Sequence, residues 1–300
     1  MHDSLYQFRT AANRYDPTHT TALRRRFEGE AARRVREFAR EVNRFLFEED
    51  SLLLKSDRVR ANAFRYRNSP KKVDDFIRWL QTQSRRGLLD VEYGAGYSTV
   101  GAGSWADVYI RTAYQKGLAQ AAGQMKRAGA TVADRWIDAG FFRPIHADAV
   151  GLTYTRVYSE LSGITRAMDS ALSSTLALGM AEGLGVQAIA ENINEQINGI
   201  GLVRARRLAR TEIIRAHAEA TLNTYEEAGL TGVQVLGEFA TAGDSKVCPR
   251  CRAFANRNNG YGPGVYVLSK ARGLIPVHPN CRCAWLPVID AKKAGKTVLL

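Results

Sequence analysis

Cysteine is absent from the first 247 residues of this 300-residue chain, because all four cysteines lie between positions 248 and 283. Long apolar runs are absent as well. The most apolar stretch, residues 171–181, contains two serines and a threonine and falls short of the roughly 18 uninterrupted apolar residues that a membrane helix needs. The first residues lack the basic start and apolar run of a signal peptide. These absences predict a soluble, intracellular protein with no membrane partner, and the length predicts about two domains.

Acidic residues are scarce relative to basic ones. The chain has 43 Lys and Arg against 30 Asp and Glu, a net charge of +13. Residues 231–300 contain ten basic and three acidic residues. A positive balance of this kind favours nucleic acid or an acidic protein surface as a partner.

A second basic concentration lies at residues 55–86, where ten basic residues accompany three acidic ones. Aromatic residues alternate with the charges. Arginines of such a segment can neutralise DNA phosphates while aromatic rings stack on bases. The alternative is a solvated helix face whose aromatic residues point into the core. The residues predicted to contact DNA without sequence preference are Arg58, Arg60, Arg65 and Arg67.

Hydrophobic periodicity predicts a mainly helical first two-thirds. From Leu23 to Phe45 apolar residues recur every three or four positions, which is the helical period, and Ser69-Pro70 is typical of a helix start. A glycine-rich segment at 91–104 predicts a hinge between two helical groups. The predicted helices cover about 23–45, 69–88, 105–127, 146–182, 186–197 and 202–228.

The pattern changes beyond Gly229. Shorter apolar segments at 233–240, 265–268 and 283–288 predict strands, separated by turn-forming Gly, Asn and Pro. The predicted fold class is therefore α+β, a long mainly α-helical N-terminal region followed by a small C-terminal α+β module. The predicted domains are a helical arm (1–200), the module (201–290) and a basic tail (291–300).

The cysteines form two close pairs. Cys248 and Cys251 are spaced Cys-x2-Cys, and Cys281 and Cys283 are spaced Cys-x-Cys with His278 just ahead of them. Thiolates and imidazole are the ligands that Zn²⁺ prefers, four at a time, so the cluster predicts a structural zinc site with five candidate ligands for four positions. Two disulfides or plain buried thiols are the alternatives.

Three segments near these cysteines resemble the phage Mu F-like head morphogenesis family. They are Ala-Arg-Thr-Glu at 209–212, Phe-Ala-Thr-Ala-Gly-Asp-Ser-Lys-Val-Cys-Pro-Arg-Cys at 239–251 and Ile-Pro-Val-His-Pro-Asn-Cys-Arg-Cys at 275–283. The resemblance covers about residues 200–290. One departure is Phe239, where the family often has tryptophan, and it should leave the packing much the same.

The resemblance implies a minor head protein of the virion. Such a protein is expected in the capsid interior near the portal, and in the host cytoplasm during assembly. Its expected partners are the portal or major capsid protein and the packaged DNA, and no catalytic activity is implied. Arg210 or Glu212 is expected to brace its helix against the cysteine loops; the alternative is an exposed Glu212–Arg215 ion pair, which contributes only ~0–1 kcal/mol.

Two other classes of protein compete with this interpretation. A zinc-dependent hydrolase or nuclease would need an open coordination position with Glu212 as base, whereas a site with four cysteines is usually closed. The sequence also lacks a phosphate-binding Gly-x4-Gly-Lys-Ser/Thr loop and a His-Glu-x2-His motif. A zinc-ribbon DNA-binding regulator fits the charge but not the long helical arm. The sequence therefore predicts a protein that is not an enzyme.

Overall fold

The computed structural model of the chain describes residues 16–55, 66, 69–89, 104–132, 143–230, 235–289 and 298–299. Helices dominate its first part and a small sheet its end. The helices are α1 (Thr21–Asn43), α2 (Ser69–Ser84), α3 (Asp107–Arg127), α4 (Pro144–Ala181), α5 (Val186–Gln196), α6 (Val203–Leu230), α7 (Pro249–Asn256) and α8 (Leu268–Ala271). The strands are β1 (Thr131–Val132), β2 (Val235–Ala240), β3 (Val265–Tyr266), β4 (Ala284–Ile289) and β5 (Val298–Leu299).

The predicted helices lie close to the observed ones. Along α1 the apolar residues at positions 23, 27, 31, 35, 38 and 42 are all buried, as an amphipathic stripe requires. Wider π-helical turns follow three of the helices, at Arg44–Glu48, Arg85–Leu89 and Ile197–Leu202. α7 and α8 were not predicted, since the sequence pattern indicated only loop and strand there.

The C-terminal sheet has three antiparallel strands in the order β3-β2-β4. β2 and β4 pair along their whole lengths, from Val235 opposite Ile289 to Ala240 opposite Ala284. All six residues of β4 are buried, so both faces of this strand are covered. The predicted strand at 265–268 is shorter than expected, because α8 begins at Leu268.

The core beneath this sheet is formed jointly by helices and strands. Trp285 is 1% exposed and packs edge-on against Phe239, with 5.5 Å between the ring centroids. The hydroxyl of Tyr225 on α6 donates to Gln124 Oε1 at 2.8 Å, which satisfies two buried polar groups. Gly117 on α3 lies so close to α6 that a Cβ there would be 2.5 Å from the carbonyl oxygen of His217.

The chain divides into two compact units. The first comprises residues 1–26, 106–154 and 210–300, and the second comprises 27–105 and 155–209. The predicted α+β class is confirmed, with a mainly helical chain and a three-stranded antiparallel sheet near its C-terminus. The predicted domain limits stay a prediction.

Some sequence expectations concern residues outside the described ranges. These are the hinge at 91–104 apart from Ser104, most of the tail at 291–300, and the four arginines expected to contact DNA. Among the helices that the structure describes, none is long and apolar enough to cross a membrane.

Candidate metal centre

The first cysteine pair is positioned by the start of α7. Cys248 is the N-cap residue, with extended backbone angles, and Pro249 occupies the first turn, where its missing N–H costs nothing. The backbone N–H of Cys251 donates to Cys248 Sγ at 3.4 Å. This capping contact brings the two sulfur atoms to the same end of the helix.

The second group of donors lies in the loop that leads into β4. Asn280 has φ of 71°, a left-handed conformation that asparagine tolerates better than most residues. The backbone N–H of Cys281 donates to the carbonyl of His278 at 3.1 Å. The resulting turn at 278–281 directs the imidazole back toward the cysteines.

The five candidate ligands come together as two overlapping trios. The donor atoms of Cys248, Cys251 and His278 lie within 4.8 Å of one another, and so do those of Cys251, Cys281 and Cys283. All four thiols are free. The cluster is close enough to hold a metal ion, and Cys251 belongs to both trios.

The imidazole of His278 is oriented for this role. Its Nδ1 lies 2.6 Å from the carbonyl oxygen of Pro279, which has no proton to give, so Nδ1 carries the N–H. Nε2 is then left with its lone pair and lies 3.3 Å from Cys251 Sγ. A backbone carbonyl that fixes the tautomer in this way is a common partner of metal-binding histidines.

The thiols differ in their affinity for protons. The hydrogen bond that Cys283 donates lowers the pKa of Cys281 to about 5, against the opposing effect of burial, and the same bond together with burial raises the pKa of Cys283. Burial raises the pKa of Cys251 to about 12, whereas the backbone N–H of Cys251 lowers the pKa of Cys248. Because thiolates are the metal-binding form, a metal would have to displace protons from Cys251 and Cys283.

Two arginines tie the loops around the cluster to their surroundings. Arg210 Nη1 on α6 donates to Asn280 Oδ1 at 2.9 Å. Arg282 donates to both carboxylate oxygens of Asp244 at 2.7 Å, and this bidentate bond holds the pKa of Asp244 below its ordinary value. Glu212 is almost completely buried and accepts from Arg215 Nε at 3.2 Å.

The resemblance implied that Arg210 or Glu212 braces the cysteine loops, but it named no partner for either residue, and the sequence did not indicate the Asp244–Arg282 pair. The partners in these contacts are 38 and 70 positions apart. Only a signal linking distant positions would have found them.

Little open space remains beside the donors. The cavity there has a volume of about 20 Å³ and is lined by residues that include Cys248, Cys251, His278 and Cys283. That volume is of the order needed for one water molecule. Cys251, Cys281 and Cys283 also pack into the core that contains Trp285. The arrangement is close enough to hold an ion, and the cavity beside it is too small to enclose an organic substrate.

Residues 171–286 match the model of a family described as phage Mu protein F like protein. The resemblance is confirmed. The match includes the Arg-Thr-Glu run on α6 and all five candidate ligands, and it extends back into α4. No curated protein and no solved structure matches the chain.

Proposed function

We propose that this protein is a minor head protein of a bacteriophage, which takes part in head morphogenesis as a structural component of the capsid interior. The match of residues 171–286 to the phage Mu F-like family carries this proposal. The observed site supports a structural role, because three of its five donors are buried and the adjoining cavity of about 20 Å³ is too small to enclose a substrate.

The metal of this site is proposed to be Zn²⁺. Cysteine thiolates with one imidazole form the donor set that zinc prefers, usually in closed tetrahedral sites. Four of the five residues Cys248, Cys251, His278, Cys281 and Cys283 would hold it. The zinc would link the start of α7 to the loop before β4. Arg210 is proposed to brace that loop through Asn280.

The proposed partners are other head proteins and packaged DNA. Residues 1–200 are proposed to dock on the portal or the inner face of the shell, since this region lies mostly outside the family match. DNA contact is proposed for Arg58, Arg60, Arg65 and Arg67 and for the basic C-terminal module. Such contact would act through phosphates and fall steeply as salt increases.

Incorporation into heads tests the main proposal. Phage that lack the gene would be complemented with the full chain, and purified heads would be probed for the protein. We expect the full chain in purified heads. A full chain that never enters heads would refute the proposed function.

Glu212→Gln separates this function from the hydrolase alternative. The change keeps the shape of the side chain and removes the carboxylate that a hydrolase would use as its base. We expect normal head yield from this variant. A folded variant that accumulates unprocessed DNA or protein would favour the enzyme instead.

A further inference from the structure

The second compact unit contains a cleft that the metal centre does not explain. It lies between α2 and α4 and has a volume of about 750 Å³. Its lining residues on α4 run from Ser162 to Ala177, a distance of about 22 Å at the helical rise of ~1.5 Å per residue. The cleft is therefore about four helical turns long.

The two walls of the cleft differ in chemistry. On α2, Val73 and Ile77 present half-buried apolar side chains. On α4 most of the lining side chains are small and carry hydroxyls. Arg166, Ser170 and Ser174 are the exposed ones among them. The lining residues of α4 are Ser162, Thr165, Arg166, Asp169, Ser170, Ser173, Ser174 and Ala177. Small side chains along one wall allow another backbone to approach closely.

Two opposite charges lie in this cleft without neutralising each other. Asp169 accepts a hydrogen bond from Ser84 Oγ at 2.7 Å, and burial raises the pKa of this carboxyl group. Arg166 lies one turn earlier on α4 and is exposed. Within the described part of the chain, neither side chain forms an ion pair with the other or with a third residue.

The length and the charges together define the occupant. A compact ligand would cover one charge and leave most of the four turns empty. A helix with an acidic and a basic residue one turn apart can meet both Arg166 and Asp169, because residues three or four positions apart lie on one helix face. Its apolar residues would face Val73 and Ile77, and helices that pack in this way lie about 8–10 Å apart.

We propose that the α2–α4 cleft is a docking site for an amphipathic α-helix of a partner protein, which places an acidic side chain on Arg166 and a basic side chain on Asp169. This proposal rests on the proposed head function and names the surface through which the helical arm docks. The charge pattern disfavours DNA as occupant, because phosphates would meet the carboxylate of Asp169 and the apolar wall on α2.

Steric filling of the cleft tests the proposal with little risk to folding. Ser170→Trp and Ser174→Trp change exposed lining residues, and Ser159→Trp changes an exposed serine of the same helix that does not line the cleft. Each variant would complement phage that lack the gene, with copies per head measured by immunoblot and folding checked by circular dichroism. We expect a loss of about tenfold for the two cleft variants, equivalent to ~1.4 kcal/mol, and wild-type incorporation for Ser159→Trp. Folded cleft variants at wild-type copy number would overturn the proposal.

Charge reversal and cross-linking identify the occupant. Arg166→Glu should reduce incorporation by a similar factor, and Glu160→Arg, an exposed reversal on the same helix, should not. A photoreactive benzoylphenylalanine at position 174 should cross-link in heads to one helical segment that carries an acidic and a basic residue one turn apart. Cross-links to DNA, to another copy of this protein or within the chain would contradict the proposal that a partner helix occupies the cleft. Absence of any cross-link would contradict it as well. Absence of wild-type protein from heads would refute the proposed function itself.

Discussion

The sharpest test of the metal centre compares Cys251→Ser with Cys248→Ser. Cys251 is 2% exposed and belongs to both trios of donor atoms, whereas Cys248 belongs to one and is half-buried. Cys248→Ser leaves the trio of Cys251, Cys281 and Cys283 complete. Cys251→Ser leaves no complete trio. The two substitutions make the same chemical change, so their difference reports on the geometry of the site.

The size of the expected effect separates packing from metal binding. A serine hydroxyl buried without a partner costs about 1–3 kcal/mol, which most domains survive. Loss of a structural zinc removes on the order of 10–16 kcal/mol of apparent binding free energy, which is comparable to the whole stability of a typical domain, about 5–15 kcal/mol. Cys251→Ser should therefore abolish metal binding and unfold the C-terminal module, while Cys248→Ser should weaken metal binding and leave the module folded.

Elemental analysis and thermal unfolding of the full chain provide the measurement. Wild-type protein should contain about one zinc per chain. A strong chelator should lower the Tm of the C-terminal module, and reductant alone should leave that Tm unchanged. If the cysteines form disulfides instead, reductant lowers the Tm and chelator does not. Equal zinc content in the two serine variants would refute the shared role of Cys251, and wild-type stability of both variants would refute a stapling role in either form.

Three further predictions concern the scaffold. Gly117→Ala should destabilise the protein by about 1–3 kcal/mol through overpacking, whereas Gly29→Ala, whose added Cβ meets nothing within 4 Å, should stabilise it by about 0.5–1 kcal/mol. Urea unfolding measures both free energies, and equal changes in the two variants would refute the close approach of Gly117 to α6. The lowered pKa of Asp244 means that its stabilising bond to Arg282 is fully present above the ordinary carboxyl pKa of ~3.9 and is lost as pH falls through the lowered value. Asp244→Asn should flatten the dependence of Tm on pH in that acidic range, and an unchanged dependence would contradict this. Asn280→Ala should cost about 1–2 kcal/mol more than Asn280→Gly, because both variants lose the contact with Arg210 but only alanine adds left-handed strain; equal Tm values would refute the strain at this position.

Helices were predictable wherever the apolar residues recur at helical spacing and are the residues that the fold buries. In α1 the stripe from Leu23 to Val42 is buried throughout, so periodicity alone gave the helix to within a few residues. The sequence did not predict the π-helical turns after α1, α2 and α5. α7 was also missed, because eight residues with glycines and cysteines nearby carry little periodic signal.

The candidate ligands were predictable as residue types, but their grouping was not. Local spacing brings Cys248 to Cys251 through the helix cap. The overlap of the two trios depends on how α7 packs beside the loop before β4, which is a tertiary property. For the same reason the partners of Arg210 and Arg282 were not assigned from the sequence.

The position of the cluster explains why its loss should affect the whole C-terminal module. Thirty positions separate Cys251, at the start of α7, from Cys281, which precedes β4. Between the end of α7 and Cys281 the named elements are the two-residue β3 and the four-residue α8. Closing a loop of that length restricts the unfolded chain considerably. The core that contains Trp285 also includes Cys251, Cys281 and Cys283. A metal bound to these cysteines would therefore stabilise both this core and the loop that Arg210 contacts through Asn280. A ligand substitution should therefore lower the protection of β4 amides from hydrogen exchange, and unchanged protection in metal-free Cys251→Ser would show that the sheet stands without the cluster.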